Sequence, residues 1–156
     1  RTNWEHITMN AALGRDIRKL DRLVGQYAES HRHPTNVIIH WICVPIIVWC
    51  ALALAWTAHP YLAMAMAVAS LFYYFALSLP LALAMTAFAA LCLAVMPYVP
   101  YLPWVAVALF VLTWSVQFVG HQIEGKKPSF FEDLQFLLVG PLFLLTKLFR
   151  KLGLPY

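Results

Sequence analysis

The run Val37-Ile-Ile-His40-Trp-Ile-Cys-Val-Pro45-Ile-Ile-Val-Trp-Cys50-Ala-Leu-Ala-Leu-Ala55-Trp-Thr-Ala58 decides the fold. It contains no Asp, Glu, Lys or Arg. At 1.5 Å per residue it is long enough as a helix to cross the roughly 30 Å hydrocarbon core of a bilayer. The charge-free character extends in both directions: from His33 to Ile123 no residue carries a formal charge beyond what histidine can hold. The whole chain is 62% hydrophobic and only 12% charged, with mean hydropathy +0.71, whereas a soluble domain is about half apolar and a quarter charged. These features predict an all-α, multi-pass integral membrane bundle forming a single domain over 1–156.

Prolines divide the apolar body. Pro60, Pro80 and the run Pro97-Tyr98-Val99-Pro100-Tyr101-Leu102-Pro103 mark three breaks, because proline lacks the helical donor and disfavours helix in the residue before it. About four transmembrane helices follow, over 37–58, 61–79, 81–96 and 103–119. The break at Pro80 is the weakest, and Leu71–Met96 as one long kinked helix is the competing reading. Parity favours four crossings: six Lys or Arg residues precede the first span, five follow the last, and none lies between, which predicts both termini on the cytoplasmic side.

The flanks have their own patterns. Over 10–30, Leu13, Ile17, Leu20, Leu23, Val24 and Tyr27 recur at three- and four-residue spacing among Arg15, Asp16, Arg18, Lys19 and Arg22, the pattern of an amphipathic helix lying on the membrane or capping the bundle. The segment 130–150 is apolar, interrupted by Gly140-Pro141 and closed by Lys147 and Arg150; it reads as interfacial or re-entrant. The N-terminus shows no short apolar core with a small-residue cleavage site, so no removable signal peptide is expected. Cys43, Cys50 and Cys92 lie in apolar runs and read as packing residues. The net charge of +4 fits basic flanks facing anionic headgroups, and nucleic acid is excluded as a partner for lack of an aromatic-interleaved basic patch.

Four of the six histidines cluster: His31, His33 and His40 at the beginning of the first span, and His121 at the end of the last. Parity puts these on one membrane face. Polar groups at membrane depth are costly, and they pair with each other, bind an ion or line a polar cavity. His121 and Glu124 are three apart, and Asn36 and His40 four apart, so each pair shares a helical face. Imidazoles with a carboxylate form a site suited to iron, zinc or manganese; interfacial histidines bonded to backbone or headgroups are the competing reading. His33 points away from His31 in any regular structure, and His6 and His59 lie away from the convergence. The chain contains no Gly-rich phosphate loop, G-x-S-x-G elbow or H-E-x-x-H pair. Its Trp and Tyr residues fit packing and interfacial belts.

The segments Tyr27-Ala-Glu-Ser-His31-Arg-His-Pro34-Thr-Asn36-Val-Ile-Ile-His40-Trp-Ile-Cys-Val-Pro45, Gln117-Phe-Val-Gly120-His121-Gln-Ile-Glu124-Gly-Lys-Lys-Pro128 and Gly140-Pro141-Leu-Phe143 together resemble the membrane 2-hydroxy fatty acid dioxygenases. The likeness implies Fe(II), O₂ and loss of one carbon from a 2-hydroxy fatty acid, an α-oxidation step, in a bacterial inner membrane or the ER membrane. His31, His40 and His121 match the family's histidines and are the implied metal ligands. Glu124 is implied as a ligand, a hydrogen-bond acceptor behind the ligands or a salt-bridge partner of the nearby lysines. Asn36 would hydrogen-bond a ligand or substrate oxygen, and Arg32, Lys126 and Lys127 would hold the substrate carboxylate.

Two other classes compete. A non-enzymatic lipid-binding or structural membrane protein would keep the histidines as hydrogen-bonders and hold no stoichiometric metal. A proton-coupled transporter is disfavoured, since Ile42–Gln117 holds no carboxylate or basic residue and only His59 among histidines. The H-x-x-H-H clusters of multi-histidine desaturases are missing.

Overall fold

The computed structural model describes residues 18–128 and 135–156. Among these the architecture is all-helical, with no strand: α1 (Lys19–Ala28), α2 (Pro34–Ala58), α3 (Pro60–Phe75), α4 (Leu79–Val95), a 3-10 turn (Met96–Tyr98), α5 (Leu102–Glu124) and α6 (Phe136–Leu152). The first part of the amphipathic helix expected over 10–30 falls outside the described residues, as does the beginning of the segment expected over 130–150.

Helices α2 and α3 begin by the same device. His33 and His59 are extended N-cap residues whose Nδ1 accepts the N–H of Thr35 and of Tyr61, each at 3.2 Å, and each is followed by a proline at the first helical position. Proline there gives up a donor that has no intrahelical partner in any case. His33 and His59, neither of them an expected metal ligand, thus have a capping role, and the His33 cap starts α2 three residues before the expected Val37. The chain does break at Pro80: Ser78 is extended, its hydroxyl accepts the Leu81 N–H at 3.5 Å, and α4 begins at Leu79. One continuous helix over Leu71–Met96 is therefore not formed.

Helix α5 runs five residues past the expected 119. It stops where Gly125 adopts φ 72, with the Gly125 N–H on the Gln122 carbonyl at 3.1 Å and the Lys126 N–H on the His121 carbonyl at 3.2 Å. A left-handed glycine bonded in this way ends a helix at low steric cost. The extension keeps His121 and Glu124 in regular helix, so their three-residue spacing acts as a shared face.

Three helices are long and apolar enough to cross a membrane: Pro34–Ala58, Leu79–Tyr98 including the 3-10 turn, and Leu102–Glu124, with mean hydropathies of 2.5, 2.3 and 1.8. Pro60–Phe75 is apolar but has only 16 residues. Large apolar side chains including Tyr61, Phe72, Tyr98, Tyr101 and Trp104 lie exposed on the outside, as expected where lipid replaces water as the solvent. Two buried clusters hold the bundle together. One joins Leu20, Leu23, Val24 and Tyr27 of α1 to Val139, Leu142 and Phe143 of α6, with Val44, Tyr74 and Leu81. The other packs Leu52, Ala53, Ala67, Ala89, Cys92 and Ala106. Cys43, Cys50 and Cys92 are buried free thiols, in keeping with a packing role.

The α2–α5 pair is the most extensive helix contact. Gly120 permits it: a Cβ there would stand 2.5 Å from Asn36 Oδ1. In the same way Gly140 of α6 passes over the Tyr27 hydroxyl, where a Cβ would stand 3.1 Å away. These two close approaches bring α1, α2, α5 and α6 together at one end of the bundle.

Candidate metal centre

At that end three imidazoles converge: His31 from the α1–α2 connection, His40 from the second turn of α2, and His121 from the last turn of α5. All are buried, at 2%, 1% and 5% exposure. Ring centroids are 4.3 Å apart for His31 and His40, 5.0 Å for His31 and His121, and 5.1 Å for His40 and His121. One ligand atom from each lies within 4.8 Å of the others. The three histidines matched by the sequence likeness are the three brought together here.

Each ring is fixed from behind. His31 stacks on Tyr27 at 4.0 Å and 5°, touches Phe143 with centroids 5.6 Å apart, and places Nδ1 2.7 Å from the Tyr27 carbonyl. His40 places Nδ1 2.8 Å from the Asn36 carbonyl, one turn back in α2. A carbonyl only accepts, so Nδ1 carries the proton in both rings and Nε2 presents a lone pair. Burial, with His40 adding to it, pushes the His31 imidazole down to about 3, so this ring is neutral near pH 7.

The two Nε2 atoms face each other at 3.0 Å. Two lone pairs at that distance repel unless a cation lies between them. Two nitrogens bound to one ion at about 2.1 Å and at right angles also stand about 3.0 Å apart. The third ring supplies a matching signal, because His121 Nδ1 is buried without a hydrogen-bond partner. Backbone-oriented imidazoles, facing lone pairs and an orphaned ring nitrogen fit a metal ion, and His31, His40 and His121 can hold one.

Glu124 has a different position. Its Oε1 accepts the Arg32 N–H at 2.9 Å, and its Oε2 accepts the His33 N–H at 2.7 Å and the Asn36 amide at 3.2 Å. It is outside the group of mutually close ligand atoms, and its bonds go to the loop after His31 rather than to Lys126 or Lys127. Asn36 is fully buried and divides its amide between Glu124 and the Ser30 carbonyl, while its Oδ1 has no partner. Arg32, Lys126 and Lys127 are exposed; Arg32 joins Glu124 through its backbone N–H, not its guanidinium.

This arrangement makes Glu124 the clamp that holds the His31 loop against α5. In Glu124→Ala, metal affinity is expected to fall about 10- to 100-fold, the usual cost of losing a group that orients ligands, as measured by chelator competition on a protein that still purifies folded. A loss as deep as that of a histidine-to-alanine variant would instead make Glu124 a ligand.

A small cavity of ≈ 50 Å³ lies against the cluster, lined by His40, His121, Gln117 and Trp114 and by Val44, Ile47 and Val48 deeper along α2. The sequence reading passed over Gln117, although it lies one turn before His121 on the same face of an apolar helix, with Thr113 one turn earlier. Tyr27, Phe143 and Gly120 were noted as parts of segments but not as the residues that shape the centre.

A family model described as 2-hydroxy-palmitic acid dioxygenase Mpo1-like matches residues 17–152. No curated protein and no solved structure gives a match. The family match covers every described helix and all three histidines, nearly the whole chain. The chain belongs to the Mpo1-like 2-hydroxy-palmitic acid dioxygenase family.

Proposed function

We propose that this protein is an Fe(II)-dependent dioxygenase that shortens 2-hydroxy fatty acids by one carbon at the cytoplasmic face of its membrane. The observation that carries the reading is the buried His31–His40–His121 cluster within a chain of this family. Three neutral nitrogen ligands would hold the ion and leave it positions for O₂ and substrate, which suits oxygen chemistry on iron. When bound, the iron supplies the activation of O₂, which the side chains of this protein cannot provide. In the reaction so assigned the C1–C2 bond breaks and C2 becomes the carboxyl carbon of the product. With C1 leaving as carbon dioxide, the acid and one O₂ give the acid one carbon shorter, carbon dioxide and water, which balances in atoms and electrons.

The residues of the chain bind, orient and shield. Tyr27, Phe143 and the Asn36 carbonyl hold the rings, Glu124 and Asn36 fasten the loop over them, and the apolar walls keep water away. Arg32, Lys126 and Lys127 form a positive rim that draws a fatty carboxylate to this face. Four crossings, with α3 the shortest, account for the meeting of the beginning of α2 with the end of α5, because an even number of passes separates them. Both basic flanks are then cytoplasmic, and α6 lies along the interface with Lys147, Arg150 and Lys151 toward headgroups.

The test is anaerobic reconstitution of the purified protein with Fe(II), followed by 2-hydroxyhexadecanoate and O₂. The expected result is one O₂ consumed per pentadecanoate formed. Stoichiometric metal with neither product nor O₂ uptake would overturn the reading.

A further inference from the structure

We infer that Gln117 is a specificity-determining residue, whose side-chain amide donates a hydrogen bond to the 2-hydroxyl of a fatty acid whose head enters the cavity on the bilayer side of the histidines; this rests on the substrate reading above. Gln117 is 8% exposed, and its Nε2 has no hydrogen-bond partner. A buried donor left unpaired costs about 1–3 kcal/mol, and within a membrane-spanning helix no bulk water relieves it. The residue also lines the cavity that holds His40 and His121, so a ligand there reaches the amide and the imidazoles together.

The direction of approach follows from what surrounds the cluster. On the aqueous side, Glu124 bonds the backbone of Arg32 and His33, and the fully buried Asn36 fills the space beneath. On the bilayer side the cavity is walled by Val44, Ile47 and Val48, an apolar lining that suits the first carbons behind a fatty acid's head, the rest of the chain staying outside its ≈ 50 Å³. A fatty acid entering this way leads with its head, and Gln117, one turn from His121, is a neutral donor that meets it beside the imidazoles.

The chemistry of the donor identifies which head oxygen it binds. Both head oxygens can accept from an amide, but the cation held by the three imidazoles is the stronger partner for the charged carboxylate. The neutral hydroxyl oxygen suits the amide. A site built to bond a substrate hydroxyl rejects the analogue that lacks it, because its own polar group is then left unpaired. The proposed reaction requires such discrimination, since a fatty acid without the 2-hydroxyl has the same tail and carboxylate.

The experiment measures anaerobic equilibrium binding of 2-hydroxyhexadecanoate and of hexadecanoate to the protein loaded with its metal. It compares wild type with Gln117→Met and Gln117→Glu, two near-isosteric replacements that remove the donor, and metal content is recorded for each. Wild type is expected to prefer the hydroxy acid about tenfold. In the variants the preference falls to about one at unchanged metal content, and in Gln117→Met the affinity for hexadecanoate is unchanged. Two variants are used so that a misfolding one does not decide the matter. A merely structural role would lower both affinities together and leave their ratio intact, which overturns the inference alone. Failure of wild type to bind the hydroxy acid overturns both the inference and the substrate reading beneath it.

Discussion

His40→Ala is expected to lose the metal, and with it all turnover, while still yielding a folded membrane protein. His40 is one of three ligand positions converging within 4.8 Å. Losing a residue that only orients a ligand already costs about 10- to 100-fold in affinity, so losing a ligand costs at least the upper end of that range. The rest of α2 stays intact, because its place in the bilayer rests on a 25-residue apolar helix and on the Gly120 contact with α5, not on the imidazole. The substitution also removes one of the two lone pairs that face each other at 3.0 Å, which relieves the repulsion of the metal-free centre. Added metal therefore raises the melting temperature of the wild type, as any ligand bound only by the native state does, and leaves that of His40→Ala unchanged. Elemental analysis and a thermal scan with and without metal check both statements. Wild-type metal content in the variant would remove His40 from the centre.

The histidine convergence was legible because two physical costs act on it together. Polar groups at membrane depth must find partners, and the parity of crossings decides which ends of the chain can meet. The position of Glu124 was not legible in the same way. A spacing of three from His121 says that the two share a face, but not that the carboxylate reaches across to the backbone N–H groups of Arg32 and His33, because loop backbone leaves no pattern in a sequence. The basic trio illustrates a related limit. Arg32 is next to a ligand in sequence, yet in the fold its backbone does the work while its side chain stays exposed.

Helix ends followed the same division. Proline placed the breaks correctly, since its missing donor acts locally whatever the tertiary context. The true termini depended on capping, which needs side-chain geometry: His33 and His59 each reach forward two residues to a backbone N–H. Gln117 carried a readable signal, an amide one turn before a candidate ligand in a span otherwise almost wholly apolar. What the sequence could not reveal was that its donor faces a cavity and stays unpaired.

Gly120→Ala is expected to damage the centre from outside it. The new Cβ would stand 2.5 Å from Asn36 Oδ1 and 3.2 Å from Ile39 Cδ1. The Ile39 methyl is a flexible end and can give way. Asn36 is fully buried, and its amide is held by both the Ser30 carbonyl and Glu124, so turning it aside breaks the clamp on the His31 loop. Helices α2 and α5 must then move apart, at the cost of about 1–3 kcal/mol usual for overpacking, and the movement separates His40 from His121. Metal affinity should fall about 10- to 100-fold, as for other lost ligand-orienting contacts, although no ligand has been touched. Gly25→Ala is the control: it lies exposed in α1 with nothing within 4 Å of the new Cβ, and it should keep wild-type affinity while gaining up to about 1 kcal/mol of helix propensity. The cause is isolated in the double variant Asn36→Ala plus Gly120→Ala. With the obstructing oxygen gone, the alanine at 120 should add little to the cost of Asn36→Ala alone, a strong departure from additivity between touching residues. Additive losses of stability and metal affinity would show instead that the Asn36 oxygen is not what the close approach of α2 and α5 depends on.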